Sequence, residues 1–177
     1  VHVRNNLAVT RNRWFKRGFD LVVGSVILLF ALPVLLVIAL LIRLETPGAP
    51  IFVHPRLGLG GQVFPCLKFR TMVQNSDQIL ADLLQRDPVA RDEWYRDFKL
   101  RQDPRITRLG RFLRLSSLDE LPQLINVIAG QMSLVGPRPI IREEIAKYGP
   151  AIEDYYLVRP GLTGLWQISG RNNLSYE

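Results

Sequence analysis

Residues 21–42 read LVVGSVILLFALPVLLVIALLI, 22 consecutive positions without a charge. As a straight helix this run is about 33 Å long, enough to cross the hydrocarbon core of a bilayer. It is too long for a cleavable signal peptide, and no small-residue cleavage site follows it. Pro33 lies near its middle, where it lacks an N–H and its ring crowds the carbonyl of Leu29. A kink is expected there. Both flanks are basic: Arg4, Arg11, Arg13, Lys16 and Arg17 precede the run, and Arg43, Arg56, Lys68 and Arg70 follow it. Positive flanks favour the cytoplasm, and one straight crossing cannot put both of them there. Two arrangements therefore fit the sequence, a kinked single span and a re-entrant hairpin bent at Pro33.

The whole chain of 177 residues carries a formal charge of +7, and its pI of about 10.1 points to acidic partners. No recognised nucleic-acid motif accompanies that charge, so nucleic acid is not expected. Cys66 is the single cysteine, which excludes an internal disulfide and a thiolate zinc cluster; His2 and His54 are too few for a histidine-rich metal site. A metal here would be held by carboxylates and substrate oxygens, which favours magnesium or manganese. The chain begins with Val1, as expected of a fragment or a processed product.

Beyond the apolar run, residues 50–53 and 63–69 read as short strands, with Leu57-Gly58-Leu59-Gly60-Gly61 as the turn between them. The glycines fit neither the P-loop nor the dinucleotide spacing. Lys68 and Arg70 flank Phe69, which puts both cations on one face of a strand, toward lipid headgroups, a phosphate or solvent. Asn75 and Gln78 form a plausible capping pair for a helix with an apolar stripe at Ile79, Leu80, Leu83 and Leu84. Asp87-Pro88 ends it and starts another, carrying Trp94, Tyr95 and Phe98, which suits either a membrane interface or an ordinary surface. Asp103-Pro104 breaks the chain again, and Arg105, Arg108 and Arg111 follow at a spacing that lines one side of a helix.

Ser117-Leu118-Asp119-Glu120-Leu121-Pro122-Gln123-Leu124 is the chemical centre of the sequence. Ser117 and Glu120 have the spacing of a capping box. Pro122 opposes that assignment, because with Ser117 as the cap it falls where a helical N–H is needed. With Asp119 as the cap it falls at the third position, where none is lost. A helix mouth also favours anions. The neighbouring arginines, Arg105, Arg108, Arg111 and Arg114 before the acids and Arg138 after them, give adjacent carboxylates the setting of a site for a negatively charged substrate. Gly130 closes the helix, and Pro137 and Pro139 fix the backbone on both sides of Arg138. A Gly-rich polar region containing Arg159, Trp166 and Arg171 follows.

These stretches together resemble the bacterial sugar transferase family, the monotopic polyprenyl-phosphate sugar-1-phosphate transferases. The resemblance is carried by Lys16-Arg17-x-x-Asp20, the Pro33-broken apolar helix, Lys68-Phe69-Arg70-Thr71-Met72 and Ser117 to Leu124. It continues through Ser133-Leu134-Val135-Gly136-Pro137-Arg138-Pro139 and Arg159-Pro160-Gly161-Leu162-Thr163-Gly164. It implies a mostly helical α+β protein: a basic start over residues 1–18, a re-entrant membrane helix over 19–43, and a cytosolic catalytic domain over 44–177 with a small β-hairpin and interfacial helices, its C-terminal tail expected to be cut short. It implies a bacterial inner-membrane enzyme on the cytoplasmic face, taking a UDP-sugar and a polyprenyl phosphate with Mg²⁺. In that family the aspartate matching Asp119 is the nucleophile and the glutamate matching Glu120 sits at the metal. Lys68, Arg70, Arg114, Arg138, Arg159 and Arg171 are the candidates for binding phosphate. A hexose donor is expected, and a homo-oligomer is compatible with the sequence. The rival class, a membrane-anchored basic scaffold binding anionic lipid, leaves the acid pair unexplained.

Overall fold

The computed structural model describes residues 10–97 and 100–164. A helix α1 (Thr10–Glu45) of 36 residues contains the apolar run and continues as helix through Pro33. A first sheet pairs β1 (Ile51–Leu57) with β2 (Val63–Phe69) across a 3₁₀ turn at Leu59–Gly61. Then come α2 (Ser76–Arg86), α3 (Pro88–Asp97), α4 (Arg108–Ser116), a 3₁₀ turn at Leu118–Glu120, and α5 (Gln123–Ile128). The remainder is β3 (Ser133–Val135), short helices α6 (Ile145–Tyr148) and α7 (Ile152–Tyr156), and β4 (Gly161–Thr163). The expected mostly helical chain with a small hairpin is what is found. The described residues fall in two units, one drawn from 1–35, 53–68 and 120–177, the other from 36–52 and 69–119.

In the first unit, the start of α1 is tied to the core by polar bonds. Asp20 is 2% exposed; its Oδ1 accepts from Lys16 Nζ at 3.0 Å and from the backbone N–H of Leu134 at 3.1 Å. Lys16 also donates to the Ser133 hydroxyl. Arg17 donates to the carbonyls of Val127 at 2.6 Å and Ile128 at 2.7 Å, at the end of α5 where the Val127 carbonyl also accepts from the Gly130 N–H at 3.0 Å. Beneath these bonds Phe64, Cys66, Leu124, Val127, Met132 and Leu134 form a buried apolar cluster, with Val23, Leu28 and Ala31 of α1 packed against it. The outward face of the helix stays apolar: Leu29 is 69% and Phe30 77% exposed. α1 is long and apolar enough to cross a membrane, and side chains this large are stabilised by about 1.5–3 kcal/mol each on leaving water.

The same unit contains a parallel pairing that local patterns do not reveal. β3 and β4 align Ser133 with Gly161 and Val135 with Thr163. The backbones approach so closely that a Cβ on Gly161 would lie 2.1 Å from the nitrogen of Gly136. A second apolar cluster joins Leu57, Ile140 and Tyr155, whose hydroxyl donates to the Leu57 carbonyl at 2.8 Å.

In the second unit, α4 begins one residue after Thr107, whose side chain accepts from the Gly110 N–H at 2.9 Å. Arg105 therefore lies before the helix and not on a shared face with Arg108 and Arg111. Its guanidinium is buried against Asp103 at 2.6 Å and lies 5.0 Å over the Trp94 ring. Burial alone would raise the Asp103 carboxyl, but the Arg105 hydrogen bonds and charge outweigh it and hold the group below its ordinary value.

Three further local expectations are corrected. Asn75 makes no side-chain capping bond to α2, whereas Asp87 does cap α3, accepting from Val89 at 2.9 Å and Ala90 at 3.1 Å. β1 runs on through Pro55 to Leu57, which a strand at the edge of a sheet tolerates. Neither Ser117 nor Asp119 caps α5: Ser117 has left-handed φ 61° and closes α4, and the cap of α5 is Pro122. The carboxylates ride on the 3₁₀ turn between the two helices.

The second unit has its own close approach. A Cβ on Gly110 would lie 2.1 Å from the Thr71 carbonyl oxygen, which accepts from the Thr107 N–H at 3.1 Å and so cannot easily retreat. Alanine gains about 1 kcal/mol of helix propensity at such a position, but overpacking against backbone costs more. Gly110→Ala is expected to destabilise the protein by about 2 kcal/mol or more, read as a fall in the thermal midpoint of the detergent-solubilised protein. An unchanged midpoint would show that α4 and the 71–73 segment are not in contact.

Candidate active site

The first unit brings basic side chains to one cleft, and the order of β2 explains part of it. Phe64, Cys66 and Lys68 share a face of the strand; the first two are buried in the apolar cluster and Lys68 emerges beyond them. Lys68 Nζ lies 2.8 Å from Glu120 Oε1. The cleft encloses about 350 Å³ with the solvent at its mouth, and is lined by Arg56, Cys66, Lys68, Glu120, Gln123, Arg138, Pro139, Gly161 and Leu162.

Arg138, presented between its two prolines, does not stand alone. Its Nη1 lies 3.2 Å from Glu144 Oε1, while Arg56 Nη1 lies 3.7 Å from the other oxygen of that carboxylate. Glu144 Oε2 also accepts from the Ile141 N–H at 3.1 Å, which fixes the carboxylate from behind. Arg56 is further held by the Pro139 carbonyl at 3.2 Å. Burial lowers the Arg56 guanidinium from its ordinary value and the charge of Arg138 adds to the effect, against the pull of Glu144. Burial, then Arg56 and Lys68, likewise lower the His54 imidazole, and burial pushes the Cys66 thiol up against the pull of Lys68 and Arg56. Three cations thus share two carboxylates, and the surplus positive charge suits an anionic ligand.

In the second unit Arg114, on α4, donates from Nε to the Thr71 hydroxyl at 2.8 Å. Burial lowers its guanidinium, whereas the charge of Asp119 favours the charged form. Other sequence-selected cations are engaged in structural bonds. Arg70 donates to the Thr46 carbonyl and hydroxyl and the Pro47 carbonyl, each at 2.8 Å, clamping the chain beyond α1. Arg159 donates to the Gly130 carbonyl at 2.7 Å. Arg171 and Trp166 lie outside the described residues. Local reasoning missed Arg56, Gln123 and Glu144. Their partners are far away in sequence, and only the proline before Arg56, comparable to those around Arg138, hinted at a fixed guanidinium.

With that geometry in view, the comparisons with known proteins decide the family. A family model described as bacterial sugar transferase matches residues 11–177. The chain belongs to the bacterial sugar transferase family. It is 52% identical over 177 residues to the UDP-galactose-lipid carrier transferase of Erwinia amylovora, covering 100% of this chain and 37% of that protein. It is 51% identical over 178 residues to the undecaprenyl-phosphate galactose phosphotransferase of Salmonella typhimurium, with the same coverage of 100% and 37%. Exopolysaccharide production protein ExoY of Sinorhizobium fredii is 48% identical over 161 residues, covering 91% of this chain and 71% of that protein. The chain thus spans 37% of the length of the first two relatives.

The donor set also bears on which metal these residues would fit. Among the described residues no three His, Cys, Asp or Glu side chains converge as a ready-made metal cage. Adjacent carboxylates, one of them already neutralised by Lys68, fit a hard cation bound mainly through phosphate oxygens and water, as Mg²⁺ is.

The Thr71 hydroxyl holds the Arg114 guanidinium at Nε. Thr71→Val removes the acceptor at nearly constant volume and is expected to cost about 1–2 kcal/mol of stability by stranding a partly buried N–H. Thr71→Ser, which keeps the hydroxyl, should restore most of it. Equal thermal midpoints for the valine and serine variants would show that the 2.8 Å bond does not hold Arg114.

Proposed function

We propose that this sugar transferase moves sugar-1-phosphate from a UDP-hexose to polyprenyl phosphate, initiating exopolysaccharide or O-antigen type synthesis. The observation that carries this reading is an acid pair with cations assigned to each member. Lys68 lies on Glu120, and Arg114 exerts its charge on Asp119. An anionic diphosphate can approach carboxylates only where such charges offset the repulsion. The relatives named for galactose transfer support a hexose, with UDP-galactose as the first donor to test.

In this mechanism an Asp119 carboxylate oxygen attacks the sugar-bearing phosphorus, and the phosphorus–oxygen bond to the uridylyl group breaks. Its electron pair leaves on UMP. A polyprenyl phosphate oxygen then attacks the same phosphorus, the bond to the carboxylate breaks, and Asp119 is regenerated. Glu120, with Asp119 and the diphosphate oxygens, would hold Mg²⁺, whose charge offsets that building on the phosphoryl group. Arg138 and Arg56, on the side of the cleft secured by Glu144, bind the phosphates, while Arg114 steadies the nucleophile. The scaffold alternative gives no account of the Lys68–Glu120 pair.

The full-length protein mixed with polyprenyl phosphate, Mg²⁺ and a panel of UDP-sugars is expected to release UMP. Asp119→Asn should lower that release by about 10³-fold or more and leave no trappable phosphosugar adduct. An adduct that persists in this variant would take the nucleophile role from Asp119.

We further assign the chain to the cytoplasmic face of the bacterial inner membrane, with α1 entering and returning to one face at Pro33. The basic residues on both flanks support this, as does the missing N–H of Pro33 beside the Leu29 carbonyl. Cysteines placed before Asp20 and after Arg43 should react with an impermeant reagent from the same side of sealed vesicles. Labelling from opposite sides would mean that α1 crosses the bilayer once.

A further inference from the structure

The two prolines around Arg138 fix where its side chain starts, and something else must fix where it ends. Pro137 and Pro139 restrict the backbone on either side, but the guanidinium lies beyond several side-chain torsions that the prolines do not reach. Among the described residues, only the Glu144 carboxylate pairs with that guanidinium, its Oε1 lying 3.2 Å from Nη1. Arg56 is held differently. Its Nη1 donates to the Pro139 carbonyl at 3.2 Å, its Nη2 lies 3.3 Å from the His54 ring nitrogen Nδ1, and Glu144 Oε2 stands 3.7 Å away as a third partner. The Arg56 side chain is 12% exposed and that of Arg138 39%. Arg56 thus has backbone and ring contacts to keep it in place, whereas the guanidinium of Arg138 relies on one carboxylate.

Glu144 is itself fastened to the backbone. Its Oε2 accepts from the Ile141 N–H at 3.1 Å, a capping bond at the start of the 3₁₀ turn Arg142–Glu144. Ile140, just before, is 0% exposed, and its carbonyl accepts from the Leu57 N–H at 2.9 Å. Both arginines line the cleft and Glu144 does not, whereas Glu120 lines the cleft itself. The effect of Glu144 on a ligand therefore runs through the guanidiniums. Two cations brought to one diphosphate repel each other. A carboxylate with one oxygen toward each offsets that repulsion and leaves other N–H groups of both forks for phosphate oxygens.

We propose that Glu144 is a positioning residue, which holds the Arg138 guanidinium beside Arg56 where the donor diphosphate is bound. The inference rests on the sugar-1-phosphate transfer proposed above and deepens it, by naming the residue outside the cleft that sets its phosphate-binding cations. A guanidinium already held in place loses less side-chain freedom when the ligand binds. Loss of the carboxylate is therefore felt in donor affinity and not in the chemical step. A carboxylate that did nothing but neutralise the arginines would weaken phosphate binding, so the two effects have opposite signs and one substitution tells them apart.

The test uses the full-length protein with Glu144→Gln, which removes the charge and keeps an oxygen for the Ile141 N–H, so the turn stays capped. UDP in a buffer containing Mg²⁺ is the probe, and its Kd is read by calorimetry on the detergent-solubilised protein. Glu144→Gln should raise that Kd about 10-fold, and KM for the UDP-hexose in step, with kcat changed less than about 3-fold. Arg138→Ala should raise the Kd at least as much. Adding Glu144→Gln to Arg138→Ala should then change it by no more than about 2-fold, because the residue through which Glu144 acts is gone. An unchanged or lower Kd in Glu144→Gln would make the carboxylate a cap or a competing charge and overturn the proposal. Equal losses with and without Arg138 would also overturn it, since they mark a general effect on the fold. If wild type binds no UDP, the diphosphate site is lost and the proposal with it. The transfer reading is judged separately, by UMP release: a wild type that binds UDP and releases no UMP from any UDP-sugar ends that reading, and the cycle on UDP binding still decides the role of Glu144.

Discussion

The buried carboxylate of Asp20 anchors the first unit. It sits on the membrane-type helix, 2% exposed, and is compensated by Lys16 and by the N–H of Leu134. A charge placed so deep is costly unless both partners are present, and removing one partner of such a pair typically costs about 3–5 kcal/mol. The geometry is therefore closely specified: α1 cannot turn or slide against β3 without stranding the carboxylate. β3 leads directly into the Pro137–Arg138–Pro139 corner, so the constraint that seats the apolar helix also sets where Arg138 is presented. A bond that looks like simple anchoring thus fixes a residue of the proposed phosphate site.

What could be read from the sequence divides according to distance along the chain. The apolar helix, the glycine turn, the break at Asp87-Pro88 and the proline-bracketed Arg138 are dictated by neighbours, and local rules found them. The pairing of β3 with β4 was invisible, because each strand has three residues and its warrant is a close backbone approach between distant glycines. The same limit explains why Arg56 reads only as a basic flank in the sequence, and why Glu144 is not marked there at all. Arg105 shows the opposite failure: a three-residue spacing suggested a shared face, but Thr107 started the helix later and Asp103 captured the guanidinium. At Ser117 the letters of a capping pattern fall on a left-handed residue that closes α4, and the cap of α5 is Pro122.

The acid pair lies on a 3₁₀ turn and not at a helix mouth. Asp119, the nucleophile of the proposed transfer, is not called on to cap α5, whose N-cap is Pro122. On the turn, the demands of α5 are met by other means: the Ile125 N–H reaches the Pro122 carbonyl at 3.0 Å and the Leu124 N–H the Leu121 carbonyl at 3.1 Å. The start of α5 is thereby secured by its own backbone.

α5 is engaged at both of its ends. Its C-terminal carbonyls, the negative pole of the helix, receive Arg17 from the membrane helix. Its N-terminal side follows the acid pair, with Gln123 as its first residue. Six residues rise only about 9 Å, so the basic edge of the apolar helix lies a short way from Gln123. A reaction whose acceptor is a lipid phosphate needs its nucleophile close to the plane where headgroups lie, and a long flexible connection would lose that register. The brevity of α5, set by Pro122 before it and the left-handed Gly130 (φ 81°) after it, suits the transfer to a lipid phosphate proposed above.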